Sequence, residues 1–163
     1  MTHILRLWRG DVNRWHSNPS RNLRNSGDTI HAHSARCCLL LTWLNPSASA
    51  AMIIDCLRHD APETITGDTP YGMKRASATL KSALDGVEDH ACAVLGIRKP
   101  ICDPWIKLAD NLDAYLWMLD VEPSLKDQLD WQNMRTEIVK ASAELGCSDD
   151  VVELIMGAES GRG

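Results

Sequence analysis

The stretch "DPWIKLADNLDAYLWMLD", residues 103–120, decides the fold. Asp103 is a good helix N-cap, because its short side chain can accept from backbone N–H groups that a first turn leaves unpaired. Pro104 suits the next position, where no N–H is needed and φ is already set. Apolar residues then recur at helical spacing as far as Asp120. The same stretch carries an acid in an unexpected place: Asp110 lies beside the small Ala109 and near Leu108 and Leu112.

Outward from this segment the pattern stays helical. Pro123 opens "PSLKDQLDWQNMRTEIVKASAELG" (123–146), Gly146 closes it, and Ser148 can cap a last short helix. On the N-terminal side, "GMKRASATLKSALDGVEDHACAVLG" (72–96) reads as one or two helices. "APETITGDTP" (61–70) is turn-rich and holds a single helical turn at most. "NPSASAAMIIDCLRHD" (45–60) begins with Asn45 as N-cap and Pro46 at the first position. "TIHAHSARCCLLLTWL" (29–44) is a further helix, with cap candidates in Ser26 to Asp28. There is no β-branched alternation, internal repeat or low-complexity tract. The expectation is an all-α fold, a single compact helical bundle of six or seven helices over residues 1–157, with 158–163 a disordered tail. Residues 10–28, "GDVNRWHSNPSRNLRNSGD", form a polar loop, and a loop of that length in a compact domain is often functional.

Composition narrows the function. The chain has 163 residues, enough for a core that needs no staples, with 44% hydrophobic and 24% charged residues. Its net charge of −5 argues against nucleic acid or a membrane surface as partner, since both favour basic faces. A small anionic substrate requires a local cluster of Lys and Arg. No apolar run approaches the roughly 20 residues of a membrane span, and "MTHILRLWRG" has no extended apolar region of a signal peptide. The six cysteines, Cys37, Cys38, Cys56, Cys92, Cys102 and Cys147, include no CxxC pair. Reduced, buried thiols and a cytoplasmic setting are expected.

The residues with chemistry to offer centre on "CLRHDAPETITGD", residues 56–68, where an apolar helix ends on the doublet His59–Asp60. His33 on the preceding helix and Asp110 can supply partners, because ligands from facing helices of a bundle can converge on one internal metal. Two imidazoles and two carboxylates suit first-row ions such as Mn, Fe, Co or Zn, and Mg less well. Taken singly, each residue has a plainer explanation: His33 a partly buried polar residue, His59 a helix C-terminal cation, and Asp110 a solvated acid with Asp113 an equal candidate.

The order of the motifs changes that balance. "RW" at Arg14–Trp15, "HS" at His33–Ser34, "HDAPE" at His59–Glu63, "TGD" at Thr66–Asp68, Lys74, and "KLAD" at Lys107–Asp110 occur in sequence over about three-fifths of the chain. This resembles the HD-domain phosphohydrolase superfamily, its small deoxynucleotidase branch, and most of all the phage dATP triphosphohydrolases of the 2-aminoadenine DNA pathway. One departure is "AHS" at Ala32–Ser34 where the family commonly has "EHS", which puts an outer contact of the site in doubt. His31 is two positions from His33 and points elsewhere.

The resemblance implies that His33, His59, Asp60 and Asp110 bind one divalent metal per subunit (Co, Mn, Zn, Fe or Mg). It implies that Glu63 positions or deprotonates the attacking water, and that Asp68 contacts the sugar hydroxyl or assists proton transfer. Arg14, Lys74 and Lys107 would face phosphate oxygens, Thr66 would line the substrate site, and Trp15 would pack on the deoxyribose. The implied function is hydrolysis of dATP or another dNTP to deoxynucleoside and triphosphate. The alternatives are a 5′-deoxynucleotidase releasing phosphate from dNMPs and a non-catalytic nucleotide sensor. The family also implies a homo-oligomer, at least a dimer and up to a hexamer, acting in host cytoplasm if phage-encoded.

Overall fold

The computed structural model describes residues 5, 7–8, 12–68, 77–101 and 103–161. Among these the fold is all-α, and β-structure is limited to one isolated antiparallel bridge between Asn13 and Thr29. The helices are α1 (Arg21–Arg24), α2 (Ile30–Leu44), α3 (Ala50–Arg58), α4 (Glu63–Thr66), α5 (Ala78–Leu95), α6 (Pro104–Val121), α7 (Leu129–Leu145) and α8 (Ser148–Glu159), with a 3₁₀ turn at Pro123–Asp127 before α7. Six of them have nine or more residues, as the sequence pattern leads one to expect. No helix is long and apolar enough to cross a membrane.

Contacts group the chain into two compact units, one drawn from residues 1–35 and 57–101, the other from 36–56 and 102–163. The boundaries fall within α2 and within α3.

In the first unit, Leu23, Ile30, Ala91, Cys92 and Leu95 are buried. Ser77 caps α5 by accepting from the Leu80 N–H, and α5 runs unbroken to Gly96. The entry to α2 is capped by Thr29, whose hydroxyl accepts from the Ala32 N–H at 3.3 Å. This moves the cap one residue past the Ser26–Asp28 expected, and frees the Asp28 side chain for another task.

In the second unit, Asp103 caps α6 as expected, accepting from the Trp105 N–H at 2.8 Å. The buried side of α6 includes Ile106, Leu108, Ala109, Leu112, Tyr115 and Met118. Cys37, Leu41, Cys56, Ile106 and Ala109 form one apolar cluster, joined by Cys38, Met52 and Trp105. Five of the six cysteines lie among the described residues, and all five are free thiols. A hydrogen bond between two of them pushes the Cys56 thiol well up, with burial adding to the effect, and draws Cys38 down.

Three further expectations need correcting. Asn45 and Pro46 do not start α3: the Asn45 side chain closes a local turn by accepting from Ser47 N–H and hydroxyl, and Ser49 caps the helix by accepting from Met52 N–H. The segment from Pro123 is not one helix. Leu125 and Trp131, both buried, are six residues apart and would fall on different sides of a continuous helix, so the extended Gln128 breaks it and re-aims the second part. Finally, α8 continues through Glu159 rather than loosening at residue 158. The Glu159 carboxylate accepts from Tyr115 hydroxyl and from Arg135, both at 2.9 Å, which ties the helix end down.

Candidate metal centre

In the first unit α2 delivers His33, fully buried, and the turn after α3 delivers His59 and Asp60. That turn is tight, with successive i→i+3 bonds from Ala61 N–H to Arg58 C=O and from Glu63 N–H to Asp60 C=O. It projects both members of the doublet to one side. His33 Nε2 and His59 Nε2 lie 3.2 Å apart, and Asp60 Oδ2 lies 3.4 Å from each. Two imidazole nitrogens and a carboxylate oxygen at such spacing require a proton or a cation among them.

The spacing fits a metal ion. Ligand bonds of about 2.0–2.2 Å place neighbouring ligand atoms roughly 2.9–3.4 Å apart in octahedral or tetrahedral arrangements. The three observed separations fall in that range. Cys37 stands one helical turn beyond His33 on the same continuous helix. Their i,i+4 spacing puts both on one helix face.

Glu63, three residues after Asp60 at the start of α4, is buried. Thr66, at the end of α4, is exposed and its hydroxyl lies 3.1 Å from the Gly67 carbonyl. Asp68 follows Gly67 and accepts the Trp15 backbone N–H on Oδ2 at 3.0 Å.

The loop residues Arg14 and Trp15 are held closely. Arg14 N–H donates to the Asp28 carbonyl at 2.9 Å, Arg14 Nη1 to Asp28 Oδ2 at 3.3 Å, and Trp15 Nε1 to the same Oδ2 at 3.0 Å. The Arg14 guanidinium sits 5.0 Å from the Trp15 ring centroid. Trp15 has φ 65°, in the left-handed region that costs a non-glycine residue roughly 1–2 kcal/mol. The two aspartates that bind it offset that cost. Asp28 was expected only as a capping candidate, and its role with Arg14 and Trp15 was missed.

In the second unit, Asp110 and Asp113 have different surroundings. Asp113 is buried and takes a bidentate pair from Arg36, at 2.7 and 3.0 Å, while the Arg36 guanidinium lies 4.4 Å from the Trp117 ring centroid. Asp113 is therefore a structural acid. Asp110 is part-exposed and pairs with Lys107 Nζ at 2.9 Å, one turn before it. Lys107 and Asp110 thus point to the same side, as their spacing implied. His31 is exposed, unlike His33. Lys74 lies outside the described residues.

Comparison with known protein families, with curated proteins and with solved structures gives no match.

Proposed function

We propose that the chain is a metal-dependent phosphohydrolase acting on deoxynucleotides, with dATP or another dNTP the first substrate. The observation that carries this reading is the meeting of His33, His59 and Asp60 within 3.4 Å, with the buried Glu63 three residues further on. The resemblance described above adds Asp110 as a further ligand. An ion held by these residues would supply Lewis-acid polarisation of a phosphoryl oxygen.

The protein's own residues have separate tasks. Glu63 takes the proton from the attacking water, whose oxygen bonds to the phosphorus next to the sugar; the P–O5′ bond breaks and the deoxynucleoside leaves with a proton. Trp15 offers a flat ring to the sugar, and Arg14 a guanidinium to phosphate. Asp68 already binds the Trp15 N–H through Oδ2, so contact with a sugar hydroxyl falls to its other oxygen.

One observation favours the 5′-deoxynucleotidase as second reading. Arg14 is paired with Asp28 and Lys107 with Asp110, so two of the three expected phosphate contacts are already engaged by carboxylates. A long phosphate tail would have to compete with them. The deciding experiment supplies dATP, dAMP and ATP in parallel with Co, Mn or Mg and separates the products by ion exchange. Triphosphate and deoxyadenosine from dATP, with ATP left intact, supports the first reading. Phosphate from dAMP alone supports the second. No product with any metal overturns both and leaves a nucleotide sensor, for which Glu63→Ala would alter nothing.

A further inference from the structure

We infer that Asp28 is a positioning residue: through one carboxylate oxygen it fixes the Trp15 indole and the Arg14 guanidinium together, presenting them as a preformed ledge for the sugar and phosphate of a nucleotide. The inference rests on the nucleotide reading above and adds to it the group that sets substrate selectivity.

The geometry points this way on three counts. The Asp28 side chain is fully buried, yet its Oδ2 accepts from both Trp15 Nε1 at 3.0 Å and Arg14 Nη1 at 3.3 Å. A buried carboxylate with charged and neutral donors on one oxygen locks both donors in direction as well as in distance. Trp15 is also gripped at its backbone, where N–H donates to Asp68 Oδ2, and it keeps φ 65°. A bulky residue stays in that conformation only where its surroundings over-determine it, and such residues cluster at ligand clamps.

The third count is where the two grips originate. Asp28 lies five residues before His33, next to Thr29, whose carbonyl accepts the His33 N–H at 2.9 Å. Asp68 lies five residues after Glu63, across the short helix α4. Trp15 is therefore tied to both segments that supply the candidate site, the one carrying His33 and the one carrying His59, Asp60 and Glu63. The Trp15 ring is only partly exposed, and its polar edge is turned inward to a buried acid.

Asp28→Asn keeps the shape and one accepting oxygen but loses the charge, and Trp15→Phe keeps a ring while removing the Nε1–H. Wild type, both single variants and the double variant are compared for kcat/KM on dATP and dAMP, each against its ribose counterpart, ATP or AMP. The indole N–H resonance absent from Trp15→Phe reports the bond to Asp28 directly. Asp28→Asn is expected to shift that resonance and to lower the deoxy-over-ribo preference about tenfold, mainly through KM, the size of one lost charge-assisted hydrogen bond. Within Trp15→Phe, Asp28→Asn should change the preference less than about twofold, because both act through one bond.

A resonance that moves while the preference stays constant overturns the inference and leaves Asp28 a structural latch. So does an equal fall in kcat/KM on all substrates with a lowered melting temperature, or a wild type that shows no deoxy preference. A wild type that turns over none of the four nucleotides overturns the nucleotide reading, and the inference with it. An active, discriminating wild type matched by Asp28→Asn overturns the inference alone.

Discussion

Replacing Asp113 by alanine should destabilise the protein far more than replacing Asp110, although the two acids are three residues apart on α6. Asp113 is buried and accepts two bonds from Arg36, at 2.7 and 3.0 Å. Removing one partner from a fully buried pair costs about 3–5 kcal/mol, because the remaining charge is left uncompensated. The Arg36 side chain is 29% exposed and can turn partly toward water, which reduces the expected loss to about 2–3 kcal/mol. Asp110 pairs instead with a half-exposed Lys107 in an i,i+3 arrangement, worth about 0.3–0.5 kcal/mol. Equilibrium urea unfolding in EDTA separates these values. With a slope near 2 kcal/mol per M, Asp113→Ala should lower the midpoint by about 1 M and Asp110→Ala by roughly 0.2 M. Replacing the pair together, as Arg36→Met with Asp113→Leu, should recover most of the loss, less the contact of Arg36 with Trp117. Equal midpoints for the two single variants would refute the assignment of Asp113 as the structural acid of the two.

Saturating Co²⁺, at about a hundred times its dissociation constant, should stabilise the wild type by about 2.7 kcal/mol and raise the melting temperature by roughly 5–10 °C; His59→Ala should show no such rise by differential scanning fluorimetry. Chelation with EDTA should abolish binding of dATP in equilibrium dialysis as well as turnover, and unchanged binding in EDTA would place phosphate recognition on the side chains alone. Burial opposes the charge of Glu159, but the Arg135 guanidinium and Tyr115 hydroxyl outweigh it and hold its carboxyl below the usual range. The stability it contributes is complete above the ordinary value of about 4.3 and is lost as pH falls through the lower folded-state value, so Arg135→Gln should flatten the acid limb of stability against pH.

Helix content was legible because periodicity and punctuation agree over most of the chain. The Asp103–Pro104 start of α6 and the stop of α5 at Gly96 and α7 at Gly146 are local signals, and tertiary packing does not override them. The signals failed where two local solutions compete. Asn45 can cap a helix or close a turn, and it closes a turn because Ser49 offers a cap directly before the apolar face of α3. The break at Gln128 follows from the need to bury Leu125 and Trp131 together, and no residue at the break announces it.

The candidate site was legible by residue type and order, but its spacing could not separate Asp110 from Asp113, since both fit the pattern of α6. Burial and the Arg36 pair separate them. Asp28 was invisible for a related reason: an acid just before a helix has an adequate local explanation as a cap, and Thr29 takes that task only in three dimensions. The thiol of Cys37 was read as core, and it is core, buried with its Sγ 3.8 Å from the Ala109 carbonyl oxygen.

Charge then decides how an anion is to be received. The protein has 17 Lys and Arg against 22 Asp and Glu, and the cations described here come with acids attached: Arg14 with Asp28, Arg36 with Asp113, Lys99 with Asp89, Lys107 with Asp110. A phosphate approaching any of them meets a charge already neutralised, and it must displace a carboxylate to gain the full attraction. The group at His33, His59 and Asp60 is different. With neutral imidazoles it carries one negative charge, so a divalent ion there leaves a net positive centre. Beside those paired cations, such an ion would offer a phosphate a net positive charge. Recognition and catalysis would then depend on the same three residues.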